Sequence, residues 1–136
     1  MPQYGLALRY FSVMTLLVLI SGLWMFVTNT SLNVEGTSSY YVLKSFYGLL
    51  ETVSPHLFSM AVLIFILTHF FAIVSGVKHK NFRLFSILFF LFMLLSNVSG
   101  FFIEESGVFF SLLKLGSTLL FTLFSFFALY KLFKIT

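Results

Sequence analysis

Residues 54–77, SPHLFSMAVLIFILTHFFAIVSGV, decide the fold of this protein. No aspartate, glutamate, lysine or arginine interrupts them, and they exceed the ~20 residues that a helix needs to cross the hydrocarbon core of a bilayer. Ser54 is a residue type that caps free backbone N–H groups, and Pro55 is tolerated at the first helical position. We therefore predict a membrane-spanning helix that begins here and carries two histidines, His56 and His69.

Three further stretches repeat this length and apolar character. We predict four spans, at approximately residues 10–27, 55–77, 84–103 and 108–130. Their apolar runs are continuous and show no period of two, which excludes a β-barrel. The last three spans are joined by short turns, which favours an up-down bundle of antiparallel neighbours. The predicted fold class is an all-α transmembrane four-helix bundle, with residues 1–136 forming a single domain.

The composition agrees with a membrane location and excludes several chemistries. Hydrophobic residues make up 60% of the chain and charged residues only 9%, whereas soluble domains average about 25% charged residues. The chain has no cysteine, so disulfides, thiolate metal sites and covalent c-type haem attachment are excluded. It also lacks a glycine-rich phosphate loop, a zinc-protease motif and a nucleophile elbow. We therefore expect no catalytic activity by this chain alone.

The one long polar connection lies between the first and second spans, at residues 28–52. Within it, the apolar positions of residues 40–51 recur at the spacing of a helix, and two tyrosines stand at the start. This pattern predicts a short amphipathic helix that lies at the membrane interface.

The distribution of charge predicts the topology. Lys78, Lys80 and Arg83 form the turn between the second and third spans, whereas Lys44 and all four glutamates fall on the other side of the membrane. The remaining basic residues on the side of the turn are Arg9, Lys131 and Lys134. Because basic residues are retained in the cytoplasm, we expect a multi-pass protein of a bacterial inner membrane with both termini cytoplasmic. The basic turn is also suited to contact anionic lipid headgroups.

Two histidines in one membrane span resemble the haem-binding helices of b-type cytochromes, which hold haem through imidazole nitrogen. His56 and His69 are about 20 Å apart along the helix axis, which suits one haem near each leaflet. Their thirteen-residue separation, however, places the side chains about 140° apart around the helix. One b-type haem remains open, with His56 or His69 as its metal ligand and a second chain or a methionine supplying the other. The methionines on other helices are Met14, Met25 and Met93.

Polar residues at a similar depth suggest a pocket. Ser111, Lys114 and Thr118 recur at three- and four-residue intervals in the fourth span, which places them in one stripe. Helix packing through small residues explains much of such a stripe, but a lysine at membrane depth is expensive and usually functional. Ser59 and Asn97 come from the second and third spans at a comparable depth. We predict that these five residues form a polar pocket open to the non-cytoplasmic face.

These features leave three functional classes. The favoured class is a small integral membrane subunit of a respiratory-type complex, acting in electron transfer or as an anchor, with a b-type haem or a quinone site near His56 or His69. The second is a small oligomeric transporter or channel that uses the stripe of the fourth span. The third is a non-catalytic accessory protein that packs on a larger membrane partner. Expected partners are lipids and other membrane subunits or further copies of the chain, and not nucleic acid.

Overall fold

The computed structural model describes residues 2–75, 79–104 and 107–135, which contain helices and turns and no strand. The helices are α1 (Pro2–Thr30), α2 (Val34–Val42), α3 (Phe46–Ser75), α4 (His79–Val98), a 3-10 helix (Ser99–Phe102) and α5 (Gly107–Ile135). Four of them, α1, α3, α4 and α5, are long and apolar enough to cross a membrane. The predicted all-α transmembrane fold is therefore confirmed.

Helix α5 is the centre of the bundle. It packs against α1, α2, α3, α4 and the 3-10 helix, whereas α3 packs mainly on α4 and α5. Helix α2 packs on α1 and α5, at the end of the bundle where α1 finishes and α5 starts. We call this the α2 end. Because the chain crosses the bundle four times, α1 begins and α5 finishes at the opposite end.

Phenylalanine rings fill the core between α3, α4 and α5. Phe89 is fully buried, and its ring centroid lies 5.4 Å from that of Phe121 and 5.7 Å from that of Phe85. The ring of Phe85 in turn stacks on Phe124 at 5.2 Å. Lipid tails are as apolar as these side chains, so the helices are held together by close packing rather than by the exclusion of water.

Large apolar side chains cover the outside of the bundle, as expected for helices surrounded by hydrocarbon. Only 11% of the most apolar part of α1 is buried inside the protein. Trp24 and Tyr47 are exposed near the α2 end, and Tyr10 and Tyr130 are exposed near the opposite end. Tryptophan and tyrosine are enriched at the two interfaces of a membrane, so these four residues are suited to anchor the bundle at its two boundaries.

The second spanning helix begins earlier than predicted. The structure extends it back to Phe46, so Ser54 and Pro55 lie inside α3 and not at its start. The cap is supplied instead by Ser45, whose hydroxyl accepts a hydrogen bond of 3.2 Å from the N–H of Gly48. Pro55 removes only one helical hydrogen bond, a defect that membrane helices tolerate.

A short helix does lie between the first two spans, but it occupies Val34–Val42 rather than residues 40–51. Its start is fixed by Asn33, whose side chain accepts a hydrogen bond of 2.5 Å from the N–H of Gly36. Asparagine is among the best residues at this position. The helical spacing seen in residues 40–51 is divided between the last turn of α2 and the first turns of α3.

We expect Asn33→Ala to destabilise the protein by about 1 kcal/mol, because it removes the acceptor that caps α2. Asn33→Asp keeps an acceptor and is expected to stay close to the wild type. Thermal unfolding of the purified variants in nanodiscs, followed by circular dichroism, measures both. Equal midpoints for the alanine and aspartate variants would contradict the capping role.

Candidate functional site

A cavity of about 260 Å³ lies between the helices at the α2 end. Helices α1 and α3 form two of its walls, α4 and α5 form a third, and Tyr40 and Tyr41 line it from α2. Most of the lining is apolar, with a few polar groups set into it. The polar groups contributed by the spanning helices are Asn29, Thr30, Thr52, His56, Ser96, Asn97, Lys114, Thr118 and Thr122.

Lys114 is the charged centre of this cavity. It lies about two turns from the start of α5 and is only 6% exposed. Its ammonium donates a hydrogen bond to the backbone carbonyl of Ser96 and lies 5.1 Å from the centre of the Tyr41 ring. No carboxylate within the described ranges forms an ion pair with it. Because an ammonium has three donors, Lys114 keeps donor capacity for a ligand in the cavity.

Side chains of α4 and α5 fix the wall around the lysine. The hydroxyl oxygens of Ser96 and Thr118 are hydrogen-bonded at 2.8 Å. The side-chain amide of Asn97 donates to the carbonyl of Met93 at 2.8 Å and contacts the sulfur of Met60 at 3.6 Å. These contacts connect α3, α4 and α5, so the polar wall is preorganised before any ligand binds.

Tyr41 packs tightly against the 3-10 helix beside the cavity. A Cβ atom on Gly100 would lie 3.0 Å from the Tyr41 ring, so the ring is in close contact with this glycine. The ring of Tyr40 packs edge-on against the ring of Tyr41, with 5.1 Å between the ring centroids. Burial, with a smaller contribution from Tyr40, raises the pKa of Tyr41 to about 12. The hydroxyl of Tyr41 therefore stays protonated at neutral pH and remains a hydrogen-bond donor.

The structure places three of the five predicted pocket residues in the cavity. Lys114, Asn97 and Thr118 line it, and His56 lines it from α3. Two of them, Lys114 and Asn97, are almost fully buried, and the sequence had grouped them only by their similar depth in the membrane. Tyr40 and Tyr41 were missed as cavity residues, because the sequence assigned them to the predicted helix at the membrane interface and not to the pocket.

The other two predicted pocket residues lie on different faces of their helices. Ser59 is exposed, and its hydroxyl donates to the carbonyl of Pro55 at 2.7 Å within α3. Ser111 is fully buried, and its hydroxyl has no hydrogen-bond partner among the described residues. Neither residue lines the cavity.

His69 lies outside the cavity, on the exposed face of α3. Its ring stacks on Phe65 at 6.2 Å and meets the edge of Phe70 at 6.0 Å. The structure therefore does not bring His56 and His69 to one site. In the part of the chain that the structure describes, no three residues among histidines, cysteines and acidic residues are grouped to hold a metal ion.

The residues predicted to contact lipid headgroups are only partly described. Lys78 and the side chain of Lys80 lie outside the described residues. Arg83 is exposed on the first turns of α4, which leaves its guanidinium accessible to the membrane surface.

Four helices are long and apolar enough to cross a membrane, and large apolar side chains are exposed on their outer faces. These features define a multi-pass integral membrane protein. More particularly, the chain belongs to the Aq_1264_TM family, a transmembrane helical domain that matches residues 31–135. The matched part contains α2 to α5 and with them Lys114, Asn97 and His56; α1 precedes it. No curated protein and no solved structure matches the chain.

Proposed function

We propose that this protein is a small membrane subunit of a respiratory-type complex and that it binds the headgroup of a quinone in the cavity at the α2 end. One observation supports the proposal above the others. Lys114 is buried in a mostly apolar cavity without a paired carboxylate among the described residues. A polar group in such a position is expensive and usually serves a ligand.

The chemistry of a quinone suits this lining. A quinone is a flat apolar ring with carbonyl oxygens on opposite edges, and those oxygens accept hydrogen bonds. Lys114 on α5 and His56 on α3 supply donors from different helices, and Leu63 and Phe121 supply apolar surface. The volume lies just below the ~300–1,000 Å³ of pockets for drug-sized ligands, so the cavity suits a single ring.

A b-type haem fits these residues less well. His56 lines the cavity, and Met25 lines it from α1 as a possible opposite ligand. A haem macrocycle is much larger than a quinone ring, however, and the described residues that line the cavity include no second histidine, since His69 lies on the outer face of α3. We therefore propose a quinone rather than a haem as the ligand.

The polar stripe of α5 continues past Thr118 with Thr122 and Ser125, and these residues support helix packing more than a transport path. Thr122 donates to the carbonyl of Thr118 at 2.8 Å, and Ser125 donates to that of Phe121 at 2.9 Å. These hydroxyls are satisfied inside their own helix, as is common where membrane helices pack through small residues. The stripe thus gives no specific support to the transporter class.

We also propose that both termini face the cytoplasm of a bacterium, with the α2 end at the outer side. Arg83 and Lys131 lie toward the end where α5 finishes, whereas Glu35, Glu51 and Glu104 lie at the α2 end. Lysine and arginine accumulate on the cytoplasmic side of membrane proteins. In this orientation the cavity lies in the outer half of the membrane.

Quenching of Trp24 fluorescence tests quinone binding. Trp24 is the only tryptophan of the chain, and its neighbours Leu23 and Met25 line the cavity. We expect a short-chain ubiquinone analogue to quench the Trp24 fluorescence saturably in nanodiscs, because a ring bound in the cavity would lie beside the residues that flank Trp24.

The double variant Trp24→Phe/Tyr130→Trp is the matched control, since position 130 is exposed near the opposite end of the bundle and does not line the cavity. It should show only the linear quenching of quinone dissolved in lipid. Linear and equal quenching in both proteins would contradict the proposal. A Soret band in the purified protein would favour the haem hypothesis instead.

A further inference from the structure

Helices α1 and α3 face each other across the cavity without close packing there. Each supplies several lining residues, yet α1 and α3 are not among the helix pairs whose backbones approach closely. Nearer the opposite end, the rings of Phe11 and Phe70 meet at 6.0 Å. The two helices therefore contact each other through the side chains of Phe11 and Phe70, and leave a gap between them at the cavity.

The rim of this gap is exposed. Val18 and Met25 of α1 line the cavity and are yet 62% and 63% exposed. Gly22 on α1 and Thr52 and His56 on α3 also line the cavity and are exposed. A Cβ atom built on Gly22 would meet nothing within 4 Å. We call these five residues the α1–α3 opening.

The side of the cavity formed by α4 and α5 is closed, whereas Asn29 at the end of α1 lines the cavity and is exposed. Asn97 and Lys114 on the wall formed by α4 and α5 are 4% and 6% exposed. Toward the α2 end, Tyr40 and Lys44 line the cavity, and the ammonium of Lys44 lies 4.5 Å from the centre of the Tyr40 ring. The exposed rim belongs to two helices that are long and apolar enough to span a membrane, so the opening faces the surrounding lipid.

We infer that the α1–α3 opening is a lateral entrance from the lipid phase, and that the hydrocarbon chain of the bound ligand lies in it. This inference rests on the proposed function. It adds the route by which the ligand enters and the position of the ligand's apolar chain. The ring of a quinone binds beside Lys114, while its apolar chain leaves between Gly22 and His56 and continues into the bilayer. The alternative is the opening predicted from the sequence, toward the aqueous, non-cytoplasmic side.

The opening is tested first without any quinone. The chain contains no cysteine, so a nitroxide at Leu63→Cys reports on the cavity and one at Phe65→Cys reports on the lipid-facing side of the same helix. In nanodiscs, we expect both labels to collide more with oxygen than with a water-soluble nickel chelate. Gly22→Leu should lower the oxygen collision rate at position 63 about twofold and leave position 65 unchanged. More frequent collisions with the nickel chelate at position 63, or no effect of Gly22→Leu there, would overturn the inference.

Binding then tests the place of the chain, with two quinones that share one ring. The first probe is the dimethoxy-methyl-benzoquinone ring alone, and the second is the same ring with a ten-carbon chain. We expect Gly22→Leu to weaken binding of the long-chain quinone about tenfold and that of the bare ring less than threefold. The control is Gly116→Leu, because Gly116 is exposed on α5, lies outside the cavity and also has free space around its Cβ position.

The outcomes separate the two proposals. Equal weakening of both quinones by Gly22→Leu would contradict the placement of the chain in the opening. If the wild type binds neither quinone, the proposed function fails, and the nitroxide measurement alone decides whether the cavity opens to the lipid.

Discussion

Lys114→Met is expected to abolish saturable quinone binding and, in the same preparation, to raise the thermal stability of the protein. Methionine has a similar length but no charge, so it removes the donor that faces the cavity and the penalty of keeping an ammonium away from water. We expect a gain of about 1–2 kcal/mol, because replacing buried charged groups by apolar ones is often stabilising. The carbonyl of Ser96 is not left without a donor, since the hydroxyl of Ser99 also reaches it at 3.4 Å. Trp24 quenching and thermal unfolding without quinone measure the two effects.

Lys131→Met is the matched control for this substitution. Lys131 lies on the same helix near its other end, and its ammonium also lies over a ring, 5.6 Å from the centre of Phe127. It does not line the cavity, so quinone binding should be unchanged. A marked loss of stability in Lys114→Met would show that this lysine holds the bundle together rather than serving a ligand. Unchanged binding would remove Lys114 from the site.

The number of spanning helices was predictable because it depends on a local property of the sequence. A helix satisfies its own backbone hydrogen bonds, so any apolar run of sufficient length is stable in hydrocarbon without information about its neighbours. The stretch at residues 54–77 shows this, since its apolar length identified a spanning helix that the structure contains.

The ends of helices were less predictable because local signals compete. Ser54 and Pro55 match the start of a helix, yet apolar residues before them extend α3 by more than two turns, and Leu49 is buried there. The start of α2 depends on Asn33, a single-residue signal that is weaker than the apolar spacing of residues 40–51. A helix cap depends on one side chain, whereas apolar spacing occurs in every helix that packs against another element and therefore does not locate the helix ends.

The cavity was partly predictable because depth can be counted along a helix, whereas rotation cannot be fixed without its partners. Depth alone grouped Lys114 and Asn97 with other polar residues, and the structure places both at one cavity. Depth could not show that Ser59 and Ser111 point to other faces of their helices. The position of Tyr41 beside the cavity could not be predicted, because its contact with Gly100 depends on how α2 packs across the end of the bundle.

The largest loss of stability is expected from Phe89→Ala, in the core between α4 and α5. The ring of Phe89 is fully buried and contacts Phe85, Phe121 and Phe124. In a soluble protein, such a change removes both a transfer term and a packing term, about 3–5 kcal/mol together. In a membrane the transfer term largely disappears, because lipid is as apolar as the core. A residual cavity of roughly 100 Å³ at about 24 cal/mol per Å³ leaves an expected loss of about 2 kcal/mol.

Phe58→Ala separates packing from the removal of an aromatic ring, because Phe58 is 73% exposed on α3. Its ring lies mostly outside the bundle in both the folded and the unfolded state. The free energy of unfolding in mixed detergent micelles should therefore change by less than about 0.5 kcal/mol. Equal losses for the two variants would contradict the assignment of Phe89 to a close-packed core. A loss near 4 kcal/mol for Phe89→Ala alone would mean that the ring meets water when the bundle unfolds, and that the helices leave the micelle as well as separating from each other.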